Sequence, residues 1–352
     1  MSASNDPLTL IVEARAHGWR VDHFLSRTFG NYSRALLQKA IEQKGVLVNG
    51  LPVKTSKRLR VNDVVTVRLP ETPDETLPPE DIPLQVIFED EHMVVLNKQA
   101  GIIVHPGKGN YRGTLAGALQ FHFDQLSDAA GQLRPGIVHR LDKDTTGVIV
   151  IAKNNQVHHR LSGQFERREV VKEYRAIVHK VLERDSDYIE TFMRVHPKNR
   201  QKMSVCEPGG NAREATTFYE TLERFDGFTY VRLLPKTGRT HQLRVHMAFL
   251  GHPIVSDTLY GGQTPGAILG PPPPTEEPEE DLEAEIDASA GAANTVATDD
   301  VAKGWINRQA LHAFRLELTH PVSRQRLIFE APLPEDMEAL LTALQNRKRN
   351  PS

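Results

Sequence analysis

Residues 136–147 read GIVHRLDKDTTG and lead directly into the apolar run VIVIA at residues 148–152. Five of the six side chains from His139 to Asp144 are charged or titratable, and short β-type runs lie on both sides of them. A solvated loop does not need apolar strands on both sides, whereas a reactive group does need rigid flanks. The pattern therefore predicts a carboxylate held at a junction between a strand and a turn.

Two carboxylates in this segment, Asp142 and Asp144, are equally available for chemistry. A carboxylate serves as a nucleophile, a general base, a metal ligand or an ion-pair partner, and Arg140 is a ready partner in the same segment. The run from Asp142 to Thr145 also matches the Asp-x-Asp-Thr motif of haloacid-dehalogenase-type phosphatases, although His139 and Arg140 interrupt the strand that this motif requires. Spacing alone does not choose among these interpretations.

Composition limits the class of protein. The chain has 352 residues, of which 39% are hydrophobic and 25% charged, as in an ordinary soluble enzyme with one large and one small domain. No run of 18 apolar residues predicts a membrane span, and residues 1–10 lack the basic and apolar regions of a secretory signal. The single cysteine, Cys206, excludes an internal disulfide and a Cys-rich zinc site. We therefore expect a cytoplasmic protein.

The formal net charge of -2 conceals an uneven distribution of charge. Residues 276–300 contain ten acidic residues and no Lys or Arg, so 43 basic residues face 35 acidic ones in the rest of the chain. A basic body favours a polyanionic partner. The acidic tract lies within a low-complexity segment, residues 263–303, which we expect to form a disordered insertion because it cannot build a core.

Residues 17–69 predict a small basic module. Ser33 is a candidate helix cap, Asn49-Gly50 a hairpin turn, and residues 61–69 a final strand. Between positions 20 and 68 there are ten Lys or Arg and three acidic residues, which favours contacts with phosphates over a merely solvated face. The segments RVD at 20–22 and GVLVNG at 45–50 resemble the S4-type RNA-binding domain. The candidate RNA-binding residues of the module are Arg34, Lys39, Lys57 and Arg58.

A larger domain is predicted after the module. Residues 70–83 contain five prolines and five acids, which is typical of a stiff linker. Residues 84–340 then combine several strands with helices that start near Thr114 and Thr240. Because strands and helices do not alternate regularly, the pattern predicts an α+β fold and not a doubly wound sheet.

Three segments of the larger domain resemble the signature motifs of the RluA-type pseudouridine synthases. They are HRLDKDTTG at 139–147, KEY at 172–174 and GRTHQLRVH at 238–246. Shorter segments fit the same family, namely Asn97-Lys98, Val104-His105-Pro106 and Ala310-Leu311-His312-Ala313. The resemblance covers nearly all of residues 17–340 except the acidic insertion, and it is strongest to the members of the family that modify large-subunit ribosomal RNA. It implies a catalytic domain with a mixed, mainly antiparallel central sheet.

The same resemblance implies roles for individual residues. Asp142, rather than Asp144, is implied to be the sole catalytic carboxylate. Tyr174 is implied to stack on the target base and to serve as an acid or base, and Arg244 to pair with Asp142 and keep it ionised. Arg140 is implied to fill the gap that the extruded base leaves in the RNA. Leu243 is implied to pack beneath the site.

The implied activity is the isomerisation of uridines in large-subunit (23S) ribosomal RNA, in the helix 69 loop, by a monomeric enzyme that acts on ribosomal RNA or the pre-ribosomal large subunit. The target base must leave the RNA stack before its glycosidic bond is broken. No redox step occurs, so we expect neither a cofactor nor a metal. The alternative is a non-catalytic RNA-binding protein of ribosome assembly.

Overall fold

The computed structural model describes residues 7–29, 34–68, 77–107, 111–270 and 305–349. The chain divides into two compact units, Met1–Thr76 and Leu77–Ser352. Within the described ranges, no helix is both long and apolar enough to cross a membrane.

The described residues of the first unit form a four-stranded antiparallel sheet with two α-helices and one 3-10 turn at Ala14–Ala16. Its elements are β1 Leu8–Ile11, α1 Val21–Thr28, α2 Arg34–Glu42, β2 Val46–Val48, β3 Leu51–Pro52 and β4 Val64–Val67, with the strands in the order β1-β4-β2-β3. Asn49 and Gly50 form the predicted hairpin turn, and both have the positive φ that a two-residue turn requires (52° and 78°).

Two predictions for this unit need adjustment. Strand β1 pairs with β4, so the sheet starts before residue 17, and β4 is shorter than the predicted strand at 61–69. A sequence signal for β1 is weak because its residues are mostly exposed at the edge of the sheet. The predicted cap at Ser33 and the strand end at Leu69 lie outside the described residues.

The second unit contains ten strands and five helices within the described ranges. The strands are β5 Gln85–Glu89, β6 Met93–Lys98, β7 Thr146–Ala152, β8 Val171–His179, β9 Ser186–Val195, β10 Met203–Cys206, β11 Arg213–Phe225, β12 Phe228–Pro235, β13 Leu311–Thr319 and β14 Arg326–Glu330. The helices are α3 Leu115–His122, α4 Asn155–Glu166, α5 Gln242–Phe249, α6 Gly266–Leu269 and α7 Glu335–Arg349.

All ten strands join one sheet in the order β10-β9-β11-β12-β8-β13-β7-β6-β5, with β14 paired to β13. Only the β7–β13 pair is parallel among the described strands. The α+β class with a mixed, mainly antiparallel sheet is therefore confirmed. Helices α5 and α7 pack on one apolar cluster of the sheet, and α4 packs on another that includes β7.

Strand β7 lies in the interior of the sheet, and all seven of its residues are buried. This burial on both faces explains why its sequence is continuously apolar from Val148 to Ala152. At the other end of the strand, Gly147 has a φ of 111°, and a Cβ there would lie 2.2 Å from the carbonyl oxygen of Ala313 on β13. Gly147 is therefore needed where β7 and β13 lie side by side.

Two local predictions for this unit were wrong. The run before His139 is not a strand, because only Ile137 forms an isolated bridge, to Ile151. Residues 263–270 belong to the described fold and include α6, so the predicted insertion does not begin at residue 263. The rest of the predicted insertion, residues 271–303, lies outside the described residues. Strand β10 and helix α7 were not anticipated.

Helix α5 starts at Gln242 and not at Thr240. His241 occupies the cap position with a left-handed backbone (φ 54°) and makes no capping hydrogen bond. The Gln242 side chain closes the turn instead, because its Oε1 accepts hydrogen bonds from the Arg239 backbone N–H (3.0 Å) and the Thr237 hydroxyl (2.7 Å).

Candidate active site

Asp142 lies in the loop that precedes β7, and the residues before it hold that loop against the core. Leu141 is buried in an apolar cluster. The His139 ring stacks on Phe165, with ring centroids 4.6 Å apart, and its Nε2 accepts a hydrogen bond from the Val150 N–H at 3.0 Å. Burial lowers the pKa of His139 to about 3, so the ring is neutral and acts as an anchor for the loop.

Lys98 holds the other side of the loop. Its buried ammonium group donates to the backbone carbonyls of Gln99 (2.9 Å), Lys143 (2.8 Å) and Thr145 (3.0 Å). Burial lowers the pKa of Lys98 to about 7, opposed by the charges of Asp144 and Asp142. Three acceptors match the three N–H donors of a charged lysine, so the contact geometry fits the protonated form.

Residues next to β13 fix the end of the same loop. Arg308 Nη1 donates to the Asp144 carbonyl at 3.2 Å, and the Gln309 amide donates to the Thr145 hydroxyl at 3.2 Å. His312 contributes Nδ1 to a 2.8 Å hydrogen bond with the Thr146 hydroxyl. The segment at 310–313 and its neighbours therefore support the loop, although they are distant from it in sequence.

Two side chains of the α5 region face the Asp142 carboxylate. Arg244 Nη1 lies 3.3 Å from Oδ2, and His241 Nε2 lies 3.9 Å from Oδ1. The Arg244 guanidinium also forms a two-pronged ion pair with the buried Asp257, at 2.6 and 2.7 Å. Burial lowers the pKa of His241, so Arg244, whose own pKa is raised by Asp257 and Asp142, is the charged one of these two neighbours of Asp142.

A cleft of about 800 Å³ has Asp142 in its lining. Lys172 and Tyr174 are two residues apart on β8 and therefore lie on the same face of the sheet. Both border this cleft, together with Leu243 from α5. Burial raises the pKa of Tyr174, and the Asp142 charge raises it further, so the phenol stays protonated near neutral pH. The lining of the cleft thus includes the aromatic ring of Tyr174, the aliphatic side chain of Leu243 and the carboxylate of Asp142.

A second cavity of about 510 Å³ also has Asp142 in its lining. Asp142 and the exposed Arg140 border both cavities, whereas Asp144 borders only the second. Position therefore distinguishes two carboxylates that spacing left equivalent.

The basic candidates of the first unit are on its surface. The side chains of Lys39, Lys57 and Arg58 are exposed, and the side chain of Arg34 lies outside the described residues. Arg58 also donates to the Gly18 carbonyl at 2.9 Å, so part of its role is structural.

Sequence reasoning missed Asp257 and Tyr260. Both lie in the loop after α5, in a stretch with no recognisable motif, and each contacts a residue that faces Asp142. Within the described ranges, no group of three His, Cys, Asp or Glu side chains is arranged to hold a metal ion.

Comparison with known proteins identifies the family. Residues 92–249 match the RNA pseudouridylate synthase family, and residues 19–65 match the S4 domain. The ribosomal large subunit pseudouridine synthase D of Nitrosomonas europaea is 38% identical over 97% of this chain and 89% of its own length. The protein of the same name from Escherichia coli O157:H7 is 37% identical, over 96% of this chain and 94% of its own.

An uncharacterized RNA pseudouridine synthase of Bacillus subtilis is 36% identical over 93% of this chain and 94% of its own length. These similarities extend across both units and include the loop that carries Asp142. The chain therefore belongs to the RNA pseudouridine synthase family, has an S4 domain ahead of the synthase domain, and is an isomerase that acts on RNA.

Proposed function

We propose that this synthase isomerises uridines of large-subunit (23S) ribosomal RNA, in the helix 69 loop, with Asp142 as the catalytic residue. The large-subunit target rests on the names of full-length relatives. The catalytic assignment rests on one observation above all. Asp142 borders the cleft that also holds the Tyr174 ring, and it is paired there with Arg244.

The chemistry needs one carboxylate and an enclosed place for the base. The bond between uracil N1 and ribose C1′ breaks, the base turns, and a bond between C5 and C1′ forms. N1 gains a proton and C5 loses one, so no net atom or electron is exchanged. Asp142 has three routes open to it, namely attack at C1′, attack at the base C6, or removal of the C5 proton.

The proposed pose places the extruded uracil against the Tyr174 ring, above Leu243. A protonated phenol is suited to donating a hydrogen bond to a uracil carbonyl. Extrusion costs a few kcal/mol of lost stacking, and the planar Arg140 guanidinium is suited to replacing part of it. The position of Arg140 on the rim of both cavities supports this role.

The target is tested by mapping pseudouridine in ribosomal RNA from cells with and without the gene for this protein. We expect pseudouridine in the helix 69 loop to disappear without the protein and to return with the unaltered gene. Loss of pseudouridine only in other RNAs would refute the ribosomal target while leaving the activity intact.

Replacement of Arg140 by Ala tests base extrusion. We expect turnover to fall by about tenfold on a structured hairpin, equivalent to about 1.4 kcal/mol in the barrier, and by much less on a flexible single strand. The reason is that the guanidinium matters only where stacking must be broken. Single-turnover rates on the two RNAs measure the difference, and equal losses on both would contradict the assignment.

The double variant Lys39→Gln with Lys57→Gln tests RNA binding by the S4 unit. Each lost phosphate contact reduces the slope of log Kd against log salt by about 0.7–0.9, because fewer counterions are released. We expect a reduction of about 1.4–1.8 and little change in the rate at saturating RNA.

The matched control is Lys180→Gln, an exposed lysine just beyond β8. Six residues of extended chain, about 20 Å, separate it from Tyr174. Its salt slope should equal that of the parent. A slope that is unchanged in the S4 double variant would mean that these two lysines do not contact phosphates.

A further inference from the structure

The loop from Ile254 to Gln263 is closed by its own backbone. The Asp257 carbonyl accepts from the N–H groups of Tyr260 (3.0 Å) and Gly262 (2.8 Å), and the Ser256 N–H donates to the Gln263 carbonyl (2.9 Å). A Cβ on Gly262 would lie 1.9 Å from the Ile254 carbonyl oxygen, so the two ends of the loop nearly touch. These contacts fix the backbone of the loop, which we call the platform loop (residues 254–263).

The first group on the platform loop is the Asp257 carboxylate, which is 1% exposed. Its two oxygens accept from Nε and Nη2 of Arg244, which leaves Nη1 as the nitrogen that faces Asp142. The distances are 2.6 and 2.7 Å to Asp257, against 3.3 Å to Asp142. Arg244 is thus held mainly by Asp257 and presents one edge to the reacting carboxylate.

The second group is the Tyr260 hydroxyl. It makes a 2.8 Å hydrogen bond with Nδ1 of His241, and it accepts from the Met203 N–H at 2.9 Å. His241 has the left-handed backbone at the start of α5, and its Nε2 points toward Asp142. The Tyr260 ring also lies 5.1 Å from the Arg244 guanidinium carbon. One loop therefore orients both neighbours of Asp142.

We propose that Asp257 and Tyr260 are positioning residues of the isomerisation, which set the orientation of Arg244 and His241 and through them the geometry of Asp142. This inference rests on the proposed role of Asp142. Neither residue borders the Tyr174 cleft, so neither is suited to touching the base.

The energetic reason lies in the competition between two carboxylates for one guanidinium. A two-pronged pair is the preferred geometry for Arg with a carboxylate. While Asp257 occupies that geometry, Asp142 receives a single longer contact and keeps an oxygen available for reaction. Without Asp257, the guanidinium is released to pair more fully with Asp142 and to shift it. A displacement of about 1 Å in a reacting group costs about 100-fold in rate.

The main test is Asp257→Asn, measured in single-turnover and steady-state assays on an RNA that the parent modifies. We expect kcat to fall by about 100-fold, with KM and the Kd for RNA within several-fold of the parent. A folded variant with the parent kcat would overturn the role of Asp257.

A double-mutant cycle with Arg244→Gln separates positioning from general destabilisation. If Asp257 acts through Arg244, the double variant is no slower than Arg244→Gln alone. Multiplicative losses would show that Asp257 acts by another route and would contradict the proposal.

The control for stability is Asp90→Asn, in the turn between β5 and β6, which lies at the opposite end of β6 from Lys98. Asp90 accepts from the N–H groups of His92 and Met93 and pairs with His320, each at 2.8 Å, so its loss also weakens the fold. We expect a lower melting temperature with the parent kcat. If Asp90→Asn slows kcat as much as Asp257→Asn does, the effect is structural and the proposal fails.

Tyr260→Phe tests the contact between the Tyr260 hydroxyl and His241. This variant remains informative if Asp257→Asn does not fold. It removes one hydroxyl, and a hydrogen bond worth about 1 kcal/mol corresponds to about fivefold in kcat. An unchanged kcat would remove Tyr260 from the proposal. Asp142→Asn, assayed in parallel, tests the catalytic role of Asp142 separately from the positioning role of Asp257. If that variant is inactive while Asp257→Asn is fully active, only the positioning role is wrong.

Discussion

Replacing Asp142 by Asn should reduce pseudouridine formation to less than about one thousandth of the parent rate, because the amide keeps the shape of the side chain but loses its charge and nucleophilicity. Affinity for RNA should stay within several-fold, since a single carboxylate contributes little to holding a polyanion. Single-turnover assays at saturating RNA, with a separate filter-binding measurement, distinguish the two quantities.

Asp144→Asn is the matched control for that result. Asp144 lies two residues away in the same loop, but it does not border the cleft that holds Tyr174. Its backbone carbonyl, rather than its side chain, receives the hydrogen bond from Arg308. We therefore expect substantial turnover. If Asp144→Asn were inactive and Asp142→Asn active, the two carboxylates would have to exchange roles.

Gly147→Ala should have the largest effect on stability. A residue with a side chain at a φ of 111° is strained by about 1–3 kcal/mol, and the contact of 2.2 Å with the Ala313 carbonyl adds an overpacking cost of about 1–3 kcal/mol. A total of about 2–6 kcal/mol is a large part of the roughly 5–15 kcal/mol that stabilises a typical protein. Urea unfolding followed by circular dichroism measures the loss.

Gly266→Ala is the comparison for that substitution. It lies in helix α6, where an added Cβ meets no heavy atom within 4 Å. We expect its unfolding free energy to stay within about 1 kcal/mol of the parent. A Gly147→Ala protein as stable as Gly266→Ala would show that β7 and β13 move apart easily to make room for a side chain.

Elements that are specified by residues adjacent in sequence could be predicted from the sequence alone. The continuous apolar run of β7 and the Asn49-Gly50 turn are specified by neighbouring residues, and both were found. The start of α5 was misjudged, because a Thr at position 240 is a good cap by propensity. In the folded chain, the Gln242 side chain closes that turn, and the backbone of His241 is left-handed.

The supporting groups of the site could not be found in the same way. Lys98 belongs to one of the segments that resemble the family, but two of its three carbonyl partners, Lys143 and Thr145, are distant from it in sequence. Asp257 and Tyr260 are recognisable only by their contacts with Arg244 and His241, and these contacts form only in the folded chain. Only the resemblance to a family selects Asp142 over Asp144 from the sequence, and the structure adds that Asp142 lines both cavities whereas Asp144 lines only the one without Tyr174.

We propose that this protein converts uridine to pseudouridine in large-subunit ribosomal RNA by means of Asp142. The most direct measurement incubates an unmodified large-subunit RNA transcript with the purified full-length protein and maps pseudouridine at single-nucleotide resolution, with Asp142→Asn in a parallel reaction. We predict pseudouridine in the helix 69 loop with the parent protein and none with the variant. The absence of pseudouridine from every position with the parent protein, or equal formation by the variant, would contradict the account.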